Sequence, residues 1–451
     1  MARAMFSIIL LLLSVGMYFL ERYGYNDRPT LTHVGAILVT LAYLWVFLRD
    51  SQAVVMTSFF QIYYMLGMML SAAIISFGTF MIEVGRFGTA NGFFWVLLGY
   101  LVAGMEATRA GYNLAGRLRF TNGMMRPSDG LNKALIWAFT GVVLLMALYV
   151  FLRTGGPILQ GVDRVTFWKT LAPAGTKILP SLVTQSFFFA AFYFLWIKRS
   201  EKSAGLPILI LVSYVLAGIF VLGEKFSLFI NFLNAWLFIM PAFFDNVRLT
   251  WRSVISGMSI IAVLLTYIAF TYMMKGSNAD FVLVRAALQA QLLWSIFDNT
   301  DVIAVLPQNS ACYLGCGPFQ SGRDFISFTY LPTGLFYFYQ EGGSTLSGFM
   351  PALSIMTMGS LLTLFLHLLI SFTLGFVQRK TVITLGSGNL LLGFLSFKIH
   401  FAIVVTWYVA TFAPLRGLIA AVFLTIVYAV IFPRRKTAPA LVPDGNRRAV
   451  A

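Results

Sequence analysis

The run from Met5 to Leu20, MFSIILLLLSVGMYFL, contains no charged residue, and about twelve stretches of its kind recur along the 451-residue chain. They begin near Met5, Leu31, Val54, Gly92, Ala134, Ile178, Leu206, Phe226, Val254, Met350, Val382 and Leu415. A helix needs roughly twenty apolar residues to cross the hydrocarbon core, and in lipid every backbone polar group must find its partner within the span. The fold class this predicts is an all-α polytopic membrane protein, one membrane domain over residues 1–451 with about twelve transmembrane helices. Composition agrees: 59% of residues are hydrophobic and 11% charged, where a soluble domain carries roughly 25% charged residues. The net charge of +16 does not point to nucleic acid, because the Lys and Arg lie between apolar runs and form no long basic face. The stretch from Val382 to Phe412 exceeds one plain span and is interrupted by Lys398 and His400. It reads either as one long tilted helix or as a span plus an interfacial or re-entrant piece.

Charge placement predicts sidedness. With the N-terminus inside, 19 of the 32 Lys and Arg fall on short cytoplasmic segments, among them Arg3, Arg49, Arg109, Arg117, Lys133, Arg379 and Lys380. Every inner connection then carries a basic residue, as the positive-inside rule asks. Both termini come out cytoplasmic, with residues 434–451 as a cytoplasmic tail. A cleaved leader would require a small-x-small site after the first apolar run; ERYGYNDRP follows instead, so the run reads as a retained span.

Two outer connections are enlarged, residues 153–177 and 275–349, and long loops are where function concentrates. The second contains both cysteines, in SACYLGCGP. On an oxidising face Cys312 and Cys316 can form a short local disulfide if their Cα atoms come within about 7 Å. Free thiols are the alternative, and two thiols without a nearby His make a poor metal site. The first loop, RTGGPILQGVDRVTFWKTLAPAGTK, holds Arg153, Arg164, Lys169 and Lys177 against one acid, Asp163. Arg153 and Lys177 flank spans and can snorkel. Arg164 and Lys169 lie inside the loop, which favours an anion-binding role. The same topology puts Glu224 and Lys225 (VLGEKFSLF), Arg285 and Arg323 on the outer face. Basic groups from four outer segments at headgroup depth suit a lipid-linked phosphate or pyrophosphate. No Asp-x-Asp or His cluster offers a metal site beside them, and no cofactor is implied. The aromatic segment FISFTYLPTGLFYFYQ reads as an interfacial amphipathic helix before it reads as a platform for sugar rings. His367, inside an apolar span, reads as a packed core group rather than a base.

The loop with GVDR, the GEKFS turn and EGGSTLSGFMPALSIMTMGSLL leading into a late span resemble, in order and spacing, the oligosaccharide repeat-unit polymerases, the Wzy-type O-antigen and exopolysaccharide polymerases. The resemblance covers residues 153–376. Lys225 stands where the family turn usually has Arg, and Pro351-Ala352 where members often place Gly-Glu. The resemblance implies a GT-C-like, metal-independent inverting glycosyltransferase in the bacterial inner membrane, with a periplasmic active site. Its substrates would be undecaprenyl-pyrophosphate-linked glycans as donor and acceptor, and a chain-length regulator would be its protein partner. Arg164, Lys225 and Arg285 would stabilise the departing pyrophosphate, with Lys169 and Arg323 binding substrate. Glu341, Asp301 or Glu224 would orient or deprotonate the acceptor hydroxyl. An O-antigen ligase is a rival reading, but ligases carry a functional His in the large outer loop and 275–349 has none. A lipid-linked oligosaccharide flippase is another, but it would line a central cavity with charges inside its spans. A purely structural assembly partner would not need the clustered outer Arg.

Overall fold

The computed structural model describes residues 2–23, 29–76, 80–81, 85–87, 92–118, 128–162, 164–199, 203, 205–223, 226–244, 259, 266, 296, 322–342, 350–409 and 415–431. Helix dominates them. In chain order the helices are α1 (Ala2–Tyr23), α2 (Pro29–Asp50), α3 (Gln52–Thr57), α4 (Phe59–Ser76), α5 (Phe93–Arg117), α6 (Asp129–Thr154), α7 (Gly156–Leu159), α8 (Arg164–Thr166), α9 (Leu179–Arg199), α10 (Gly205–Leu216) and α11 (Phe226–Phe243). After these come α12 (Gly322–Tyr330), α13 (Thr333–Gly342), α14 (Met350–Met358), α15 (Ser360–Gly386), α16 (Leu390–Val409) and α17 (Leu415–Ile431). The strands among the described residues are one antiparallel pair, Phe80–Met81 with Arg86–Phe87.

Six of these helices are long and apolar enough to cross a membrane, and four further apolar helices are shorter. Their burial is inverted relative to a soluble bundle. In α1 the buried residues are Ser7, Leu10, Ser14, Tyr18 and Glu21, while Ile8, Ile9, Leu12 and Phe19 are exposed. In α15 Thr363, His367, Ser371 and Gln378 are buried, while Leu361, Leu362, Phe365 and Leu369 face outward. Small and polar groups turn inward and large aliphatic groups outward because the surroundings are hydrocarbon. The protein is a multi-pass membrane protein.

The late spans divide differently from the sequence expectation. The helix expected to begin near Met350 is broken at Gly359 (φ 84°), and the long span runs from Ser360 to Gly386. Residues 382–386 therefore finish α15. A turn through Gly388 (φ 83°) follows, and α16 begins at Leu390. Lys398 and His400 lie within that single 20-residue helix, so the stretch holds one span and the end of another. The span expected near Val254 lies outside the described residues.

Two apolar clusters form the core. One surrounds α5 and takes in α1–α4, and the other surrounds α9 with α6, α10 and α11. Helix α16 joins them: Leu390 and Phe397 belong to the second cluster, Val404, Trp407 and Tyr408 to the first. Helices α5 and α15 pack in close contact. A Cβ at Gly104 would sit 2.6 Å from His367 Nε2, one at Gly111 would overlap the Phe372 carbonyl, and one at Gly375 would overlap that of Thr108. Small residues permit this approach, and in a bilayer close packing is a principal force between helices.

These contacts also fix which helix ends lie together. α5 and α15 are parallel, since Gly104 meets His367 and Gly116 meets Arg379. α1 is antiparallel to α5, since Ser7 bonds Glu106 while Glu21 bonds Gly92. The C-terminal end of α15 meets the end of α11 (Gly386 on Ala242) and the start of α6 (Asn132 Nδ2 to Gly388 O, 2.7 Å). One end of the bundle thus gathers Arg3, Arg109, Arg117, Lys133, Arg379 and Lys380. The other gathers Gly92, the exit of α6, the entry of α11 and the start of α15.

The first span is tied in at both ends. At the basic end Arg3 lies over the Phe47 ring at 5.3 Å, and its Nη1 donates to Ser51 Oγ at 2.9 Å. Glu106 lies 3.7 Å from Arg3 and 2.9 Å from Arg109, and accepts from Ser7 Oγ at 2.7 Å. At the opposite end the buried Glu21 carboxyl accepts from the Gly92 N–H (3.0 Å) and Trp95 Nε1–H (2.8 Å), serving backbone at the start of α5 that its own chain leaves unpaired. Glu21→Ala strands both buried donors and should cost about 2 kcal/mol or more. A lowered thermal midpoint of the detergent-purified protein is expected; an unchanged one would show that water replaces the carboxyl without loss.

Candidate functional site

The loop expected at 153–177 is a structured corner. α6 runs through Arg153 to Thr154, and then Gly155 and Gly156, both at φ 72°, turn the chain back over the bundle. A Cβ on Gly156 would stand 2.5 Å from the Phe220 carbonyl oxygen, so glycine lets this backbone lie on that of the α10 exit. The chain then forms α7, and Arg164 opens the single turn α8. The π-helical turn Phe167–Leu171 follows, with Phe167 fully buried. The apolar anchors Pro157, Phe167 and Ala172 hold the corner down while Arg164 and Lys169 stay exposed. Lys177 Nζ donates to the Lys169 carbonyl at 2.9 Å, closing the far side.

A second irregular turn faces it. α10 widens into a π-helical turn at Ala217–Val221, and Gly223 (φ 68°) ends it. A Cβ there would meet Pro157 Cγ at 2.8 Å and Arg164 Cβ at 3.4 Å, and Trp168 Nε1–H donates to Leu222 O at 3.4 Å. Two π-helical turns, a geometry enriched at functional sites, thus pack the Arg164 segment onto the residue that immediately precedes Glu224 and Lys225. Sequence placed these segments on one face. Their direct packing depends on Gly156, which no motif singled out, and on Gly223, the first residue of the GEKFS turn.

The remaining candidates distribute as follows. Arg323 is in the first turn of α12 and Glu341 near the end of α13, with the side chains of both outside the described residues. The aromatic segment expected as one amphipathic helix is two helices broken at Leu331-Pro332, because Pro332 has no N–H to continue α12. Leu331 and Phe336 pack into the core cluster around α5, and Pro332 Cγ lies 3.5 Å from where Gly85 would carry a Cβ. Phe328 and Tyr337 are exposed. Arg323 and Glu341 therefore ride on helices of the first cluster, whereas Arg164 rides on the second. Glu224, Lys225, Arg285, Asp301 and the Cys312–Cys316 pair lie outside the described residues.

The sequence reading placed His367 in the core but missed the buried polar row it belongs to. His367, fully buried, bonds the Tyr100 carbonyl through Nε2 at 2.9 Å and accepts from Trp407 Nε1–H through Nδ1 at 2.9 Å. This agrees with its reading as a packed core group, and the acceptor role of Nδ1 assigns the proton to Nε2. Farther along α15 the Gln378 amide donates to Ser58 Oγ (3.2 Å) and Thr57 O (3.3 Å) and accepts from Thr57 Oγ1 (3.2 Å), clamping the break between α3 and α4. The signal was present: Thr363, His367, Ser371, Gly375 and Gln378 recur at helical spacing on one face of an otherwise aliphatic span.

Comparison with protein-family models, with curated proteins and with solved structures returned no match.

Proposed function

We propose that the protein polymerises undecaprenyl-pyrophosphate-linked oligosaccharide repeat units into a surface polysaccharide, acting in the inner membrane of a bacterium on its periplasmic side. The observation that carries this reading is the packing of Arg164 against Gly223, beside Glu224 and Lys225, at the bundle end opposite the basic one. The architecture proposed with it has about twelve spans, of the GT-C-like kind, and both termini in the cytoplasm.

In the reaction the hydroxyl oxygen of one lipid-linked unit attacks the anomeric carbon of the growing chain. The bond from that carbon to the pyrophosphate oxygen breaks with inversion, and undecaprenyl pyrophosphate leaves with the bonding electrons. The hydroxyl proton passes to a carboxylate, for which Glu341, Asp301 and Glu224 are the candidates. Arg164, Lys225 and Arg285 offset the charge growing on the leaving group, and Lys169 and Arg323 hold the substrate phosphates and glycan. Fixed cations at a poorly hydrated boundary serve a developing phosphate charge better than cations in water do.

The test is the purified protein in lipid vesicles with one defined lipid-linked repeat unit. A ladder of lipid-linked chains is expected. Movement of the unit across the bilayer without elongation would replace the reading with a transporter, and transfer only onto a lipid A core would replace it with a ligase. Sidedness is checked separately. A cysteine introduced at Ser277 should react with a membrane-impermeant maleimide from the periplasmic side, and one at Asp129 only after permeabilisation. The reverse pattern would overturn the orientation.

A further inference from the structure

At the basic end, the parallel packing of α5 and α15 brings Arg379 and Lys380 of α15 beside the end of α5, whose last turn carries Arg117. The Arg379 guanidinium carbon lies 5.0 Å from the centre of the Tyr112 ring, and its Nη1 donates to Tyr112 OH at 3.3 Å. Gly116 leaves room for it: a Cβ there would stand 3.3 Å from Arg379 Nε. Lys380 Nζ donates to the Leu118 carbonyl and lies 5.8 Å from the centre of the Phe376 ring. Arg117, exposed in the last turn of α5, sits between these two attachment points. The nearest acid on α5 is Glu106, and it already pairs with Arg3 and Arg109. Among the described residues no ion pair joins a carboxylate to Arg117 or Arg379.

We infer that Arg117, Arg379 and Lys380 form a binding site for the headgroup of an anionic phospholipid at the α5–α15 junction. Three features favour that occupant. The Tyr112 ring fixes the position of the Arg379 guanidinium without neutralising it, unlike a salt bridge. Leu114, one turn before Arg117 on α5, is exposed, so a phosphate arriving there brings acyl chains that an apolar side chain can meet. Arg117 is in the last turn of α5, and Arg379 and Lys380 lie within two turns of the end of α15; basic residues near helix ends at the membrane boundary attract anionic lipid by electrostatics alone. The site is separate from the Arg164 corner and does not depend on the polymerase reading.

Native mass spectrometry of the detergent-purified full-length protein, with equal amounts of phosphatidylglycerol and phosphatidylcholine, tests this. Phosphatidylglycerol should be retained with a preference on the order of tenfold. Arg117→Gln combined with Arg379→Gln should remove most of that preference, and Arg117→Gln alone, at an exposed position, should remove part of it without affecting folding. Arg153→Gln, at the opposite end, should leave it intact. Equal retention of the two lipids, or a preference untouched by the double variant that elutes as folded protein, overturns the site. Full displacement of the lipid by millimolar inorganic phosphate would assign the cations to a soluble anion and overturn the lipid assignment.

Discussion

Gly111→Leu should yield no folded, monodisperse protein after detergent extraction, whereas Gly16→Leu should behave as the parent does. At Gly111 even a Cβ overlaps the carbonyl oxygen of Phe372 and stands 3.1 Å from Phe376 N, so the obstacle is backbone. The α5–α15 interface would have to part along its length, detaching the His367–Tyr100 bond and the Arg379–Tyr112 stack that lie on either side. Overpacking at a side chain costs about 1–3 kcal/mol, and displacing one helix backbone from another exceeds that range. At Gly16 no atom lies within 4 Å, and the new side chain enters the lipid-facing surface of α1. Fluorescence-detected size exclusion and a thermal ramp of the two variants make the comparison. A Gly111→Leu protein that elutes and melts like the parent would show that α5 and α15 do not pack as described.

Lys225→Ala should lower chain synthesis by about 10² to 10³, the usual cost of losing one group that stabilises charge in a transition state. Its level and membrane insertion should be unchanged. The expectation combines the Wzy-type resemblance with the packing of the Arg164 segment on Gly223, the residue that precedes Glu224 in the chain. Lys225→Arg should keep most activity, although a planar guanidinium and a compact ammonium do not contact phosphate in the same way. Arg164→Ala should fall in the same direction, and the two losses combined should be less than additive if both cations face one leaving group. Wild-type polymer from Lys225→Ala would return the residue to a solvated turn.

Much of the architecture is legible in the sequence alone. Apolar runs of span length located α1, α2, α5, α6, α9 and α17 to within a few residues, because length and hydropathy are all the bilayer asks of a helix. Boundaries inside continuous apolar sequence were harder. Nothing in hydropathy distinguishes Gly359 from the residues around it, yet its φ of 84° ends one helix and starts another. The candidate site divides the same way. Arg164 and Lys169 stood out as charges where an outer loop did not need them. That the Arg164 segment lies against Gly223 depends on two π-helical turns and on glycines whose missing side chains make the room.

The sequence by itself determined the solvent of this protein, the class of its fold and the ends of the helices that carry its excess positive charge. These follow from one-dimensional patterns: span length, the apolar content of each run and the interval between basic residues. Only the tertiary structure decided which polar groups meet. His367 finds Trp407 and the Tyr100 carbonyl, Gln378 finds Thr57 and Ser58, and Glu21 finds the start of α5. In hydrocarbon a polar side chain must find a partner, but its residue type does not say which helix will supply one. The packing of small residues supplies that choice, because it sets which two backbones approach closely enough for the groups beside them to bond.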